Sequence, residues 1–317
     1  MKFFKRIGYF IITNILVVLT VSLIVGVVSA FFGINLTGGG YAGLFIFCFI
    51  WGFAGAFISL QLSRWMAKKF HGVEVVNPLT TNPIERKLID LVYQIARRAG
   101  MDVMPEVGYY ESPDVNAFAT GPSKKRALVA VSSGLMNTMT DPEIEGVLAH
   151  EIAHIVNGDM VTLTLIQGIV NSFAMFFAHI ITTVIMNAFR RNDDDRRGFG
   201  DFILRQMIYS AVVTAFTLLG SIVVCYFSRR REFRADAGGA RYASTDKMSQ
   251  ALIRLQKVYQ IAAPQNTVDE THKESDDLAT MKISGKKRSG LGNLFATHPP
   301  LEERIEALRN RTYADAT

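Results

Sequence analysis

The chain has 317 residues, of which 49% are hydrophobic, a formal net charge of +6 and two cysteines. Its mean hydropathy is positive, which is too apolar for an ordinary soluble protein of this size. Cys48 and Cys225 both fall inside apolar runs, which leaves neither a disulfide framework nor a cysteine-based zinc site. The basic residues flank those runs, so a lipid bilayer rather than nucleic acid accounts for the charge.

In chain order, residues 7–32, 41–62, 162–189 and 203–227 are near-continuous apolar segments. Each exceeds the roughly 20 residues that cross a hydrocarbon core, so the sequence predicts four transmembrane helices. The first is too long for a cleaved signal peptide and lacks a small-residue cleavage site. Lys2, Lys5 and Arg6 precede it, and Arg64, Lys68 and Lys69 follow the second, whereas 33–40 carries no charge. The positive-inside rule therefore puts the N-terminus and the segment after residue 62 in the cytoplasm. The connection 190–201 conflicts with this scheme, because Arg190, Arg191, Arg196 and Arg197 would lie outside. The third and fourth segments are either two full spans or a hairpin that dips into the membrane. Both readings return the chain to the side it left.

Residues 63–161 form the first soluble part. Asn82-Pro83-Ile84-Glu85 starts a helix that runs to about Ala99, with Ile84, Leu88, Leu91, Val92 and Ile95 as its expected buried face. Strand-like runs follow at Val107–Tyr110, Asn116–Thr120 and Ala127–Val131. Thr140-Asp141-Pro142-Glu143 then offers a capping box, and Asn157-Gly158 a stop. The amphipathic helix between them, with Ile144, Val147, Leu148, Ile152 and Ile155 as its apolar stripe, carries His150-Glu151-Ile152-Ala153-His154. Two histidines four residues apart project from one helical face and offer two nitrogens to a Zn²⁺ ion. Glu151, directly after the first, can act as base toward a water at that site.

A hydrolytic zinc site takes three protein ligands and keeps one position open. The best candidate for the third is Glu232, in Arg229-Arg230-Arg231-Glu232-Phe233-Arg234-Ala235-Asp236, which opens a second helical stretch. Asp236 lies four residues on and is assigned as the acceptor that fixes His150. The plainer reading is that Glu232 only balances the neighbouring arginines; the H-E-x-x-H helix weighs against it. Further helices are expected at about Asp246–Tyr259 and after His298-Pro299-Pro300, where Leu301, Ile305 and Leu308 share a face. Residues 264–290 read as a polar loop. His179 reads as a neutral intramembrane imidazole bonded to a neighbouring helix, and His71 and His272 as solvated side chains. His298 has two readings, a cap for the last helix or a group that reaches the site and steadies an oxyanion.

Taken together, the two N-terminal spans, His150-Glu151-x-x-His154, the membrane hairpin, Glu232-Phe-Arg-Ala-Asp236 and Thr297-His-Pro-Pro-Leu-Glu-Glu-Arg-Ile305 resemble the HtpX family. These are bacterial inner-membrane zinc metalloproteases linked to heat shock and related to the CAAX-prenyl endopeptidases. The resemblance covers nearly the whole chain. It implies a gluzincin with His150, His154 and Glu232 on one Zn²⁺ per chain and Glu151 as base. It also implies that Asn116, Ala117 and Phe118 form a substrate-binding edge strand. The implied role is removal of misfolded or damaged membrane proteins, with unfolded or membrane-protein substrates and other membrane quality-control proteases as partners. The expected architecture is four transmembrane helices plus a small cytoplasmic α+β zincin-like catalytic domain with a short sheet. Its parts are 1–62 (two spans), 63–161 (first catalytic half), 162–228 (membrane hairpin) and 229–317 (second catalytic half), with both termini cytoplasmic. The competing functions are a zinc protein with a structural or sensory role, and a site-specific peptidase for a lipidated peptide.

Overall fold

A computed structural model describes residues 40–189, 199–262 and 296–310. The first expected span, 7–32, lies outside the described residues, as do the connection 190–198 and the loop 264–290. Among the described residues, three helices are long and apolar enough to cross a membrane. These are α1 (Gly40–Phe70), α5 (Asp159–Phe189) and α6 (Phe199–Tyr242). The described residues are mostly helical and include one small sheet.

The fold divides into two compact units, and α1, α5 and α6 contribute residues to both. In the first, made of described residues 40–55, 167–189 and 199–220, aromatic side chains supply much of the packing. Phe45 meets Phe176 edge-on at 5.4 Å between ring centroids, and His179 packs on Tyr209 at 4.6 Å. Cys48 is buried and unpaired here, and Cys225 is so in the second unit, as packing residues would be.

The second unit holds the sheet. It has four strands, β1 (Glu74–Val75), β2 (Glu106–Tyr110), β3 (Ala117–Thr120) and β4 (Leu128–Ser132), in the order β1-β2-β4-β3. β2 and β4 run parallel, and both edge strands pair antiparallel. Alternation sorts the side chains. Val107, Ala117, Val129 and Val131 enter the main core, and Tyr110, Phe118, Leu128 and Ala130 form a second cluster with Ala67 and Val73. With both faces covered, β4 is buried at every position, as an unbroken Leu-Val-Ala-Val run requires. Arg64 and Lys68 at the end of α1 both pair with Glu106 and fasten that helix to the sheet.

Four helices complete the main core: α2 (Pro83–Arg98), α4 (Asp141–Asn157), α7 (Thr245–Ala262) and α8 (Leu301–Asn310). A short helix, α3 (Ser133–Thr138), joins β4 to α4. α2 starts where its sequence says it should, with Asn82 Oδ1 accepting from Ile84 N. Its face is shifted from the expected one: Ile84 is exposed, Leu91 is only half-buried, and Ile89 and Ala96 are buried instead. β1 and α3 had no periodic signal, being too short to show one. Two further expectations need correction. α4 is buried at every position from Ile144 to Ile155, not along one stripe, because the sheet and α7 both pack on it. Residues 229–236 do not open a new helix: they continue α6 without a break.

Candidate metal centre

The centre is built on α4. Thr140 and Glu143 form the capping box at its start. Gly158, at φ 71°, ends it in a left-handed turn that a side chain would strain. This turn lets Asp159 begin α5 immediately. α6 comes very close to α4 through Gly238 and Gly239. A Cβ on Gly238 would sit 2.5 Å from Ala153 Cβ, and one on Gly239 would sit 2.7 Å from Met248 Sδ and 3.2 Å from His150 N. Without these two glycines the helices could not approach closely enough to face their polar side chains.

What they face is a buried cluster. His150, His154 and Glu232 offer ligand atoms that all lie within 4.8 Å of one another. His150 Nε2 and His154 Nε2 are 3.1 Å apart. Glu232 Oε2 lies 3.5 Å from the first and Oε1 3.4 Å from the second. The edge of a tetrahedron drawn on metal–nitrogen bonds of about 2.0–2.1 Å is about 3.4 Å, so the three donors are spaced as ligands to one small cation. Each imidazole is oriented from behind. His150 Nδ1–H donates to Asp236 Oδ1 at 2.9 Å, and His154 Nδ1–H donates to Asp159 Oδ2 at 2.7 Å. Both Nε2 lone pairs therefore turn to the shared centre.

Glu232 is 0% exposed, and neither of its carboxylate oxygens accepts a hydrogen bond. A buried carboxylate left so is costly unless a cation answers it. Arg304 Nη1 lies 3.5 Å from Oε2, and His298 Nδ1 lies 2.9 Å from the same atom. Both His298 nitrogens lack a hydrogen bond. Donor type, spacing and the unsatisfied carboxylate all fit a divalent metal.

Electrostatics agree. Burial alone would lower the His150 imidazole, but its bond to Asp236 and the Glu232 carboxylate beside it outweigh this and raise it to about 9. For His154 burial likewise opposes the proton, and the Glu232 charge with the Asp159 bond raises the value. Such imidazoles favour a positive charge, which a bound metal supplies. Glu151 is buried on the same helix.

The sequence reading named His150, Glu151, His154, Glu232, Asp236 and His298, and the fold gathers them in one region. It did not name Asp159 or Arg304. Asp159 follows the helix stop directly and looks like an ordinary first-turn acid. Arg304 left a readable signal, because it shares the buried face of α8 with Leu301, Ile305 and Leu308. Asn116 precedes β3, the edge strand, which packs against α4. Asn116, Ala117 and Phe118 have buried side chains, and Asn116 Nδ2 donates to Tyr110 Oη at 3.1 Å. His71 is half-buried beside the Phe118 ring rather than solvated.

A sequence profile described as Peptidase family M48 matches residues 82–312. Protease HtpX of Shewanella loihica is 48% identical over 305 residues, covering 96% of this chain and 99% of that protein. The Protease HtpX homolog of Bacillus subtilis is also 48% identical, over 311 residues, covering 96% and 98%. Among solved structures, the crystal structure of S. mikatae Ste24p superposes with a TM-score of 0.54 at 18% identity, covering 94% of this chain and 65% of that one. The chain belongs to peptidase family M48 and is a metalloprotease with membrane-spanning helices.

Proposed function

We propose that this protein is a zinc endopeptidase of the bacterial inner membrane, with its catalytic part and both termini cytoplasmic, that cleaves misfolded or damaged membrane proteins. The observation that carries this reading is the donor set: two imidazoles tied at Nδ1 and one buried carboxylate, spaced for a single tetrahedral ion. It is the ligand arrangement of a gluzincin. Four spans in all, counting residues 7–32, keep the N-terminus on the same side as the site.

His150, His154 and Glu232 hold the ion. Zinc, when bound there, supplies a Lewis acid that polarises a scissile carbonyl and makes a nearby water more acidic. Glu151 accepts the proton of the attacking water and passes it to the leaving amine. His298, whose nitrogens are otherwise unsatisfied, donates to the oxygen that gains charge at the carbonyl. β3 presents an open strand edge, and an extended peptide can pair with its backbone beside Asn116, Ala117 and Phe118. Because those side chains are buried, recognition runs through the main chain. That suits unfolded substrates of many sequences, including ones handed over by other membrane proteases.

The test uses full-length protein in detergent, stripped of metal and reloaded with Zn²⁺. Glu151→Gln should keep one Zn²⁺ per chain and lose proteolysis of an unfolded polypeptide by about 10²- to 10⁴-fold. Retained proteolysis in that variant would refute the role of Glu151. Zinc binding without proteolysis in the wild type would move the reading to a structural zinc protein or to a peptidase of narrow specificity.

A further inference from the structure

Arg304 is the largest side chain that is fully buried in the described protein. It grips Asp236 with both arms of its guanidinium: Nε donates to Oδ2 at 2.7 Å and Nη2 to Oδ1 at 2.6 Å. Asp236 Oδ1 is the same atom that accepts from His150 Nδ1. Nη1 of the same fork faces Glu232. One cation thus touches the carboxylate behind one proposed ligand and the carboxylate that is another. It arrives from a distant part of the sequence. Arg229 Nη1 donates to Ala296 O at 2.8 Å, which fixes the start of the segment, and Leu301, Ile305 and Leu308 seat α8 in the core.

We infer that Arg304 is a positioning residue of the metal centre, acting through Asp236 to set His150, so that the segment 296–310 is part of the metal-binding apparatus. The inference rests on the metal reading above. Its physical basis is that a lone buried Asp236 has several acceptor directions, whereas a planar bidentate fork leaves one orientation. With both oxygens held, Oδ1 stays aimed at Nδ1, and His150 Nε2 stays aimed at the ion. Lysine would keep the charge but lose the fork. Outer partners of this kind ordinarily govern metal affinity by about 10- to 100-fold.

The experiment is a pair of double-mutant cycles read as Zn²⁺ affinity of the full-length protein, by competition with a chromogenic chelator. Arg304→Met and Asp236→Ala should each weaken binding about 10-fold or more, and the double variant should be no weaker than Asp236→Ala alone. Combined instead with Asp159→Ala, which acts on His154, the Arg304→Met loss should multiply. Arg304→Lys should fall between wild type and Arg304→Met, and it takes the place of Arg304→Met in both cycles if that variant does not fold. Wild-type affinity in the Arg304 variants, or losses that multiply equally in both cycles, would overturn the inference alone. Zinc binding that His150→Ala leaves unchanged would overturn the metal reading and this inference with it.

Discussion

The two histidines of the centre are held by the same device in different surroundings. On one side, His150 leans on Asp236, and Asp236 on Arg304, with side-chain exposures of 1%, 2% and 0%. On the other, His154 leans on Asp159, and Asp159 on Arg234, whose side chain is 40% exposed and reaches only to 3.4 Å. The inner chain of contacts is dry throughout and bidentate at its arginine, whereas the outer one is single-pointed and ends on an arginine that is open to water. Charge pairs strengthen and become geometrically exacting where water is excluded, and they weaken where it is not. The inner half should therefore set the geometry of the metal, and the outer half should tolerate change.

The variant with the largest expected effect breaks both halves at once. Glu232→Ala removes the donor shared by the two sides and should weaken Zn²⁺ binding by more than about 100-fold, beyond what the outer partners govern. Metal content at wild-type level in that variant would refute the ligand assignment. The next comparison separates the sides. Asp236→Ala should lower Zn²⁺ affinity toward the 100-fold end of the outer-partner range and Asp159→Ala toward the 10-fold end, since only the first strands a buried arginine. Equal losses in a chelator competition would erase the distinction.

A pH series sharpens it further. Metal requires neutral imidazole, and His150 in the metal-free centre is raised to about 9. Apparent Zn²⁺ affinity should therefore fall, by up to about tenfold per pH unit for that one proton, as pH drops below about 9. The stability of the metal-free protein should run the other way. A raised histidine contributes fully below its ordinary value near 6.5 and loses that contribution as pH rises through about 9. Melting temperature without metal should drop across this window, and calorimetry at pH 6.5 and 9 checks it. The smallest effect belongs to the outer rim. Arg234→Gln should change Zn²⁺ affinity less than about fivefold, because Arg234 is partly solvent-exposed and makes one long contact at 3.4 Å, while Asp159 keeps its bond to His154.

Local sequence determined much of this molecule. The capping box, the His150–His154 spacing and the Gly158 stop are all short-range, so α4 could be read with its ends in place. The apolar runs over α1, α5 and α6 were equally legible, since a bilayer demands continuous length. The E-x-x-x-D spacing correctly put Glu232 and Asp236 on one helical face. What the sequence withheld was depth and partnership. Burial of α4 on every side comes from the sheet and α7 closing around it, which periodicity within one helix cannot report. The continuity of α6 through Arg229–Asp236 was hidden because a change from apolar to charged residues looks like an element boundary. Asp159 and Arg304 were missed for one physical reason. Each acts through a contact with a neighbouring helix, Asp159 on His154 across the helix stop and Arg304 on Asp236 from a distant part of the sequence, and the spacing within one helix does not report such a pairing, although the buried face of α8 marks Arg304 as an inward side chain. The sequence alone named the three side chains proposed as ligands, and the fold brings their donor atoms together. Only the packing of α6 on α4 through Gly238 and Gly239, and of α8 against Glu232 and Asp236, decided how firmly each is held.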